Sequence, residues 1–251
     1  SDLALNGATL DVVWNMTLAA NIISANVQYG QIEKIKEVAG VQEVILENRY
    51  EPCVVKQEET ADPNMATSDK MIGSSAAWAA GYTGAGSRIA IIDTGADVDH
   101  PSLDPDALKY ALQGSNATIM TEADLTDEVL NQLNAYTRKA GLTAADFYVN
   151  EKIPFGFNYV DADTDITHDN DTQGDHGSHV TGIAAGNRFV KDEAGNYVAA
   201  LDSVMTQGVA PDAQILTMKV FGKRGGAYDS DYMVAIEDAM VLGADAANLS
   251  L

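Results

Sequence analysis

Short apolar stretches separated by polar turns mark the first fifty residues. Residues 11–27 have a β-like pattern and predict a hairpin. Residues 29–38 place Ile32, Ile35 and Val38 on one face before Gly40, which predicts a short helix. A weaker alternation over residues 41–46 predicts a strand. Together these patterns indicate a small α+β unit.

Residues 51–93 pass from a polar segment to a predicted helix and then to an apolar strand. Residues 51–70, EPCVVKQEETADPNMATSDK, are polar, contain two prolines and have no apolar period, so they predict a linker. Residues 74–80 predict a helix and residues 82–86 a turn. Residues 88–93, RIAIID, then form an apolar run typical of a strand that is buried on both faces of a parallel sheet.

The rest of the chain predicts an α/β domain with a parallel sheet flanked by helices. Residues 94–175 are rich in loops and contain one predicted helix, with Thr121 and Asp124 as an approximate capping box and Leu125, Val129, Leu130 and Leu133 as its apolar stripe. Helix and strand then alternate, with helices predicted over residues 176–186 and 229–244 and strands over residues 214–220 and 245–251.

Composition excludes several classes of partner and structure. Lys and Arg number 15 and Asp and Glu 37, a net charge of -22, which disfavours a nucleic acid or an anionic membrane as partner. Cys53 is the single cysteine, so no disulfide forms within the chain. The longest uncharged stretch, residues 12–32, is too rich in Asn and Gln to span a membrane. The N-terminus has no signal-peptide pattern, so any export signal is expected outside this chain.

Two motifs carry candidate chemistry. IAIIDTGADVDHPSL (89–103) places Asp93 at the end of an apolar strand, where ligand sites form in parallel sheets. GDHGSHVTGIAAG (174–186) is rich in small residues, so its helix can approach a sheet closely with His176 at its start. Taken singly, Asp93 is better explained as a loop cap, and either histidine of the second motif as a packed residue.

Together the two motifs resemble those of the subtilisin-like serine proteases, whose catalytic Asp lies in D-[ST]-G and whose catalytic His opens H-G-[ST]-H-V-x-G. The segments GVAPDAQILTMKVF (208–221) and NLSL (248–251) extend the resemblance, which covers roughly residues 26–251. KIPFGFNYVDAD (152–163) is similar to the lactocepin-type cell-envelope proteinases. The resemblance implies a subtilisin-like fold, a serine endopeptidase, and an extracellular or wall-attached location.

The resemblance also implies a division of labour. His176 would take the proton of a serine hydroxyl, and Asp93 would orient and stabilise the imidazole. The family's serine and its oxyanion-hole asparagine are expected after residue 251, so the chain alone is expected to be incomplete as a catalyst. A non-catalytic relative that binds without cleaving is the alternative.

Substrate contacts and domain limits follow from the same resemblance. A protein or peptide substrate would pair as an extra strand with Gly225, Gly226 and Ala227 and with Ser250 and Leu251, while Phe221 would form an apolar wall beside His176. An ordinary flexible turn is the alternative for Gly225 and Gly226. Residues 1–50 would be the C-terminal part of a ferredoxin-like inhibitory prodomain that acts on its own enzyme, residues 51–70 a linker containing the maturation bond, and residues 71–251 the Asp/His half of the catalytic domain.

Metal binding has two separate candidates. Residues 161–175, called the acidic loop below, hold six aspartates, which suits either calcium or a solvated surface; the loop does not fit the EF-hand pattern. Ser102 stands where the family's best-known calcium site has an Asp. A zinc hydrolase using His176 and His179 with His168 or His100 is a further alternative, although the Glu of H-E-x-x-H is absent.

Overall fold

The computed structural model describes residues 10–52 and 65–250. Its N-terminal unit begins with strands β1 (Asp11–Met16) and β2 (Ile22–Asn26), which pair antiparallel and confirm the predicted hairpin. A 3-10 turn, Tyr29–Gln31, leads into helix α1 (Ile32–Lys36), also as predicted although shorter. The strand predicted over residues 41–46 is wrong, because Ile45 and Leu46 are exposed and this stretch pairs with no strand within residues 10–52 and 65–250.

The predicted linker, residues 51–70, is described only in part. Strand β3 (Arg49–Tyr50) precedes it, and residues 53–64 of the predicted linker lie outside the described residues. From Met65 the chain is helical, in α2 (Met65–Ile72) and then α3 (Ser74–Ala79). Residues 65–70 of the predicted linker are therefore helical, and the helix predicted from residue 74 is confirmed.

The remaining elements follow in chain order. The strands are β4 (Arg88–Asp93), β5 (Phe155–Asn158), β6 (Phe189–Lys191), β7 (Tyr197–Ala199), β8 (Gln214–Lys219), β9 (Ala227–Tyr228) and β10 (Ala246–Leu249). The helices are α4 (Pro105–Ala111), α5 (Asp127–Leu130), α6 (Asn134–Arg138), α7 (Ala144–Phe147), α8 (His176–Ala185), α9 (Ala200–Ser203) and α10 (Asp229–Val241).

A four-stranded parallel sheet lies at the centre, in the order β10-β4-β8-β5. Its pleat sends Ala90 and Ile92 into one hydrophobic cluster and Ile91 into the other, so β4 is buried on both faces. Helices α8 and α10 both pack against β4. This arrangement confirms the predicted α/β class.

Helix α8 lies close to the sheet because its inward face is small. Gly177, Thr181 and Ala185, spaced four residues apart, are its buried positions. Helix α10 ends in a Schellman arrangement: Gly243 has φ +67° and donates its N–H to the Met240 carbonyl, while Ala244 donates to Ala239. The chain thereby reverses directly into β10.

The single helix predicted near residue 121 is wrong in extent. The capping box is present, since Thr121 N–H donates to Asp124, but it starts only the 3-10 turn Glu122–Asp124. The Thr126 hydroxyl then accepts the N–H of Val129 and begins α5 as a separate helix. The apolar stripe still turns inward, because Leu125, Leu130 and Leu133 are all buried.

Among the described residues, no helix combines the length and the apolar character needed to cross a membrane.

Candidate active site

Asp93 and His176 meet at the carboxyl edge of the central sheet. Asp93 is the last residue of β4, and His176 is the first residue of α8. The imidazole Nδ1 lies 2.9 Å from Oδ1 and 3.1 Å from Oδ2 of Asp93. The carboxylate side chain is 1% exposed and the imidazole 27% exposed. One ring edge of His176 is therefore fixed by a buried acid, while part of the ring remains exposed to solvent.

The turn after β4 holds this pair in place. Thr94 donates its backbone N–H to Asp93 Oδ1 at 2.7 Å, and the Thr94 hydroxyl accepts the N–H of Gly177 at 2.9 Å. The same threonine thus contacts both the acid and the start of the histidine helix. A third link comes from Asp97, whose N–H donates to the hydroxyl of Ser178 at 2.7 Å.

The pairing determines what His176 can do chemically. An ionised carboxylate only accepts hydrogen bonds, so Nδ1 carries the proton in the neutral imidazole and Nε2 keeps a free lone pair. Among the described residues, no protein group hydrogen-bonds to Nε2. A general base oriented by a buried acid requires this arrangement of the two side chains.

Lys219 is a neighbour of this site that the sequence analysis did not single out. It ends β8 in register with Asp93, is 1% exposed at its side chain, and forms an ion pair of 2.8 Å with Asp171. Its Nζ also donates to the backbone carbonyl of Thr94. The sequence feature that could have identified Lys219 is its charge in the otherwise uncharged strand QILTMK.

The predicted substrate-binding residues fall in two places. Gly225 closes a tight turn with Gly222, each donating its N–H to the other's carbonyl, and has φ +97°. Gly226 and Ala227 are buried, and Ala227 begins β9. Ser250 follows β10, which neighbours β4, whereas Leu251 lies outside the described residues.

Phe221 is 1% exposed and packs within the larger hydrophobic cluster. Its predicted role as a wall beside His176 stays a prediction, as do the substrate-binding roles of the other residues.

A segment of the N-terminal unit lies against the 225–228 edge. Strand β3 pairs antiparallel with β9, Arg49 opposite Tyr228 and Tyr50 opposite Ala227. The approach is so close that a Cβ on Gly226 would lie 1.8 Å from the Tyr50 carbonyl oxygen. Glycine at position 226 is therefore needed for this strand pairing.

Acidic side chains of α10 hold the rest of the N-terminal unit. Glu237 accepts the backbone N–H groups of Thr17, Leu18 and Ala19 at 2.9–3.0 Å. Asp231 accepts the indole N–H of Trp14 at 2.9 Å. Burial would raise the pKa of Glu237, but these backbone donors bring that pKa below its ordinary value.

Neither the acidic loop nor the histidines proposed as metal ligands form a ligand set among the described residues. Within the described ranges, no group of three His, Cys, Asp or Glu side chains is placed to hold an ion. His179 points to Asp175 at 3.6 Å rather than joining His176, and His100 pairs with the hydroxyl of Ser102. Several carboxylates of the acidic loop instead accept hydrogen bonds from protein groups.

Comparison with known proteins places this geometry in a family. Residues 84–251 match the Subtilase family. The chain is 33% identical over 238 residues to the PI-type proteinase of Lactococcus lactis subsp. cremoris, covering 92% of this chain and 10% of that protein. It is 32% identical to the PII-type proteinase of Lacticaseibacillus paracasei with the same coverage, and 29% identical over 210 residues to the minor extracellular protease Vpr of Bacillus subtilis (strain 168), covering 82% and 19%.

The chain belongs to the subtilase family. It spans about a tenth of the length of the lactococcal proteinases that it matches.

Proposed function

We propose that the chain contributes the acid and the base of a serine endopeptidase that hydrolyses peptide bonds of protein substrates. The observation that carries the proposal is the 2.9 Å contact between Nδ1 of His176 and the buried carboxylate of Asp93. His176 takes the proton of a serine hydroxyl through Nε2 and returns it to the leaving amine. Asp93 keeps the imidazole in the required tautomer and stabilises the imidazolium.

The nucleophilic serine and the oxyanion-hole asparagine belong, in this proposal, to a segment that follows residue 251. Ser178 is unsuited to the role because, among the described residues, its hydroxyl bonds to the N–H of Asp97 and makes no hydrogen bond to Nε2 of His176. The protein acts outside the cell or attached to the wall, in line with the word extracellular in the name of the Bacillus relative.

The N-terminal unit acts as an inhibitory prosegment of the same protein. Strand β3 pairs with β9 as a substrate strand would, so it blocks the edge that would receive the substrate. The carboxylates of Asp231 and Glu237 anchor the hairpin that precedes it. Cleavage within residues 51–70 would then allow the unit to leave.

The test is hydrolysis of an unfolded protein substrate by the full-length protein of the parent reading frame, after release of the N-terminal unit. His176→Ala is expected to lower kcat by about 10⁴-fold or more, because the general base is lost. His179→Ala is the matched control: it lies on the same helix, is 48% exposed, and should leave activity unchanged. A folded wild-type protein that cleaves no substrate would instead support the non-catalytic alternative.

A further inference from the structure

The acidic loop contacts two different parts of the proposed active site. One set of contacts reaches the turn that follows Asp93, and the other reaches the turn between Gly222 and Gly225. The loop starts where β5 ends, at the same edge of the sheet as Asp93 and Lys219. The carboxylates of the loop therefore lie between the turn that follows Asp93 and the turn between Gly222 and Gly225.

The first set of contacts runs through a buried ion pair. Asp171 Oδ2 lies 2.8 Å from Nζ of Lys219, and the two side chains are 3% and 1% exposed. The same Nζ of Lys219 also donates a hydrogen bond to the backbone carbonyl of Thr94. Thr94 in turn donates to Asp93 and accepts from the start of α8. A single carboxylate of the loop is thus connected to both members of the proposed acid–base pair.

The backbone of the loop adds to this contact. Ala96 donates its N–H to the carbonyl of Ile166 at 2.9 Å. A Cβ on Gly95 would lie 2.2 Å from the same carbonyl oxygen. The loop is therefore pressed against the turn that follows Asp93, with no room for a side chain between them.

The second set of contacts centres on Asp161. Its carboxylate accepts the backbone N–H of Lys223 at 2.8 Å and of Arg224 at 3.1 Å. A Cβ on Gly222 would lie 2.1 Å from Asp161 Oδ2, so the carboxylate sits directly on the turn. Gln173 donates its side-chain N–H to the carbonyl of Gly222 at 3.1 Å. These bonds fix the turn that leads into the strand proposed to receive the substrate.

We infer that the acidic loop is a positioning element of this active site, in which Asp171 acts through Lys219 on the Asp93 turn and Asp161 acts on the 222–225 turn. The inference rests on the proposed function and assigns the loop a role in that same site. Asp161 and Asp171 are positioning residues, since neither is proposed to touch the substrate. The two carboxylates should affect different kinetic constants because they hold different turns.

The kinetic test compares three charge-removing variants of the matured full-length protein on a peptide substrate. Asp161→Asn is expected to raise KM about tenfold with kcat within twofold, because it loses charge-assisted bonds to the substrate-side turn. Asp171→Asn is expected to lower kcat about 10- to 100-fold with KM nearly unchanged, since misplacement of the catalytic pair slows the chemical step. Asp169→Asn is the control: Asp169 is exposed in the same loop, and no hydrogen bond or ion pair of its side chain is found among the described residues.

Asp171→Asn leaves Lys219 buried without its counter-charge, so this variant could lose activity simply by failing to fold. A further, double variant separates the two effects. The double variant Asp171→Leu/Lys219→Met replaces the ion pair with apolar side chains of similar size, a change that buried pairs often tolerate. We expect it to keep the wild-type circular dichroism spectrum yet to show the same loss of kcat. We also expect a sharp His176 Nδ1 proton resonance in the wild type and a broadened one in the double variant, since the Asp93 turn is no longer held.

Two results would overturn the inference. One is an Asp161→Asn variant and a folded double variant whose kcat and KM both match those of Asp169→Asn. The other is an unchanged His176 Nδ1 proton resonance in the folded double variant. Absence of hydrolysis by the wild type would reject the proposed function instead, while the resonance would still decide whether the loop positions His176.

Discussion

Gly177 faces the carbonyl oxygen of Gly95 so closely that a Cβ at position 177 would lie 2.2 Å from it. This approach brings the start of α8 against the turn after β4, and so brings His176 to Asp93. The absence of a side chain at position 177 is therefore part of the geometry of the site.

A pair of glycine substitutions in α8 tests this packing. Gly177→Ala should destabilise the protein by about 1–3 kcal/mol, because backbone must shift to admit the methyl group. Gly182→Ala should stabilise it by about 0.5–1 kcal/mol, since no atom lies within 4 Å of the new Cβ and alanine is the better helix former. Urea unfolding followed by circular dichroism measures both. Equal effects of the two substitutions would show that the close approach is absent.

Substitution of Gly226 is expected to release the β3 strand. Gly226→Val places side-chain atoms where the Tyr50 carbonyl now lies, so pairing of Arg49 and Tyr50 with β9 should be lost. Hydrogen exchange followed by mass spectrometry should show faster exchange across residues 49–52. Gly30→Ala, which meets no atom within 4 Å, serves as the control. Retained protection of this segment in Gly226→Val would contradict the strand pairing.

Loss of the Glu237 charge should loosen the hairpin. Glu237→Gln keeps one acceptor oxygen where the carboxylate accepts backbone N–H groups with both, so we expect about 2–4 kcal/mol less stability. Exchange of the amides of residues 17–19 should accelerate in this variant. Exposed Glu193→Gln removes the same charge elsewhere and should leave these amides unaffected.

Acid should weaken the same contact. The pKa of Glu237 is lowered in the folded protein, since its backbone donors outweigh burial, so its stabilising effect is present above the unfolded pKa of about 4.3 and is lost as pH falls through the folded value. Amides 17–19 of the wild type should lose protection as the pH falls below the unfolded pKa and through the lower folded pKa of Glu237. Glu237→Gln should show no such loss over the same range; an identical acid response in both proteins would remove Glu237 as its cause.

Asp238, the next residue, should behave in the opposite sense. Burial raises its pKa to about 6, although hydrogen bonds from Ala135, Asn134 and Tyr159 oppose the shift. A raised carboxyl pKa favours the folded state below the unfolded pKa of about 3.9, and this contribution disappears as pH rises through about 6. The stability gap between the wild type and Asp238→Asn should therefore narrow from pH 4 to pH 7. A gap that widens would show that the Asp238 pKa is not raised.

Local patterns predicted the elements that position the site. The strands ending at Asp93 and Lys219, the helix from His176 and the following α10 are all present, because each combines a clear apolar run with the residues that start or end it. The pattern failed over residues 41–46, where apolar side chains remain exposed.

Some features were not predicted because they depend on contacts between residues far apart in the sequence. Strand β5 was not predicted, since a four-residue run carries little periodicity and gains its place from pairing with β8. The partnership of Lys219 with Asp171 joins residues 48 positions apart in the sequence and depends on how the acidic loop folds back. The composition of that loop was compatible with either calcium or a solvated surface, and it could not predict that Asp171 pairs with Lys219 or that Asp161 accepts backbone N–H groups.

The rate at which a fluorophosphonate probe labels the matured full-length protein tests directly whether Asp93 orients His176. We predict labelling of one serine in the wild type and a rate about 10⁴-fold lower in Asp93→Asn, because the imidazole loses the partner that fixes its tautomer. Asp99→Asn, an exposed change six residues away, should label at the wild-type rate. Equal labelling rates for Asp93→Asn and the wild type would contradict the claim that Asp93 orients His176 for catalysis.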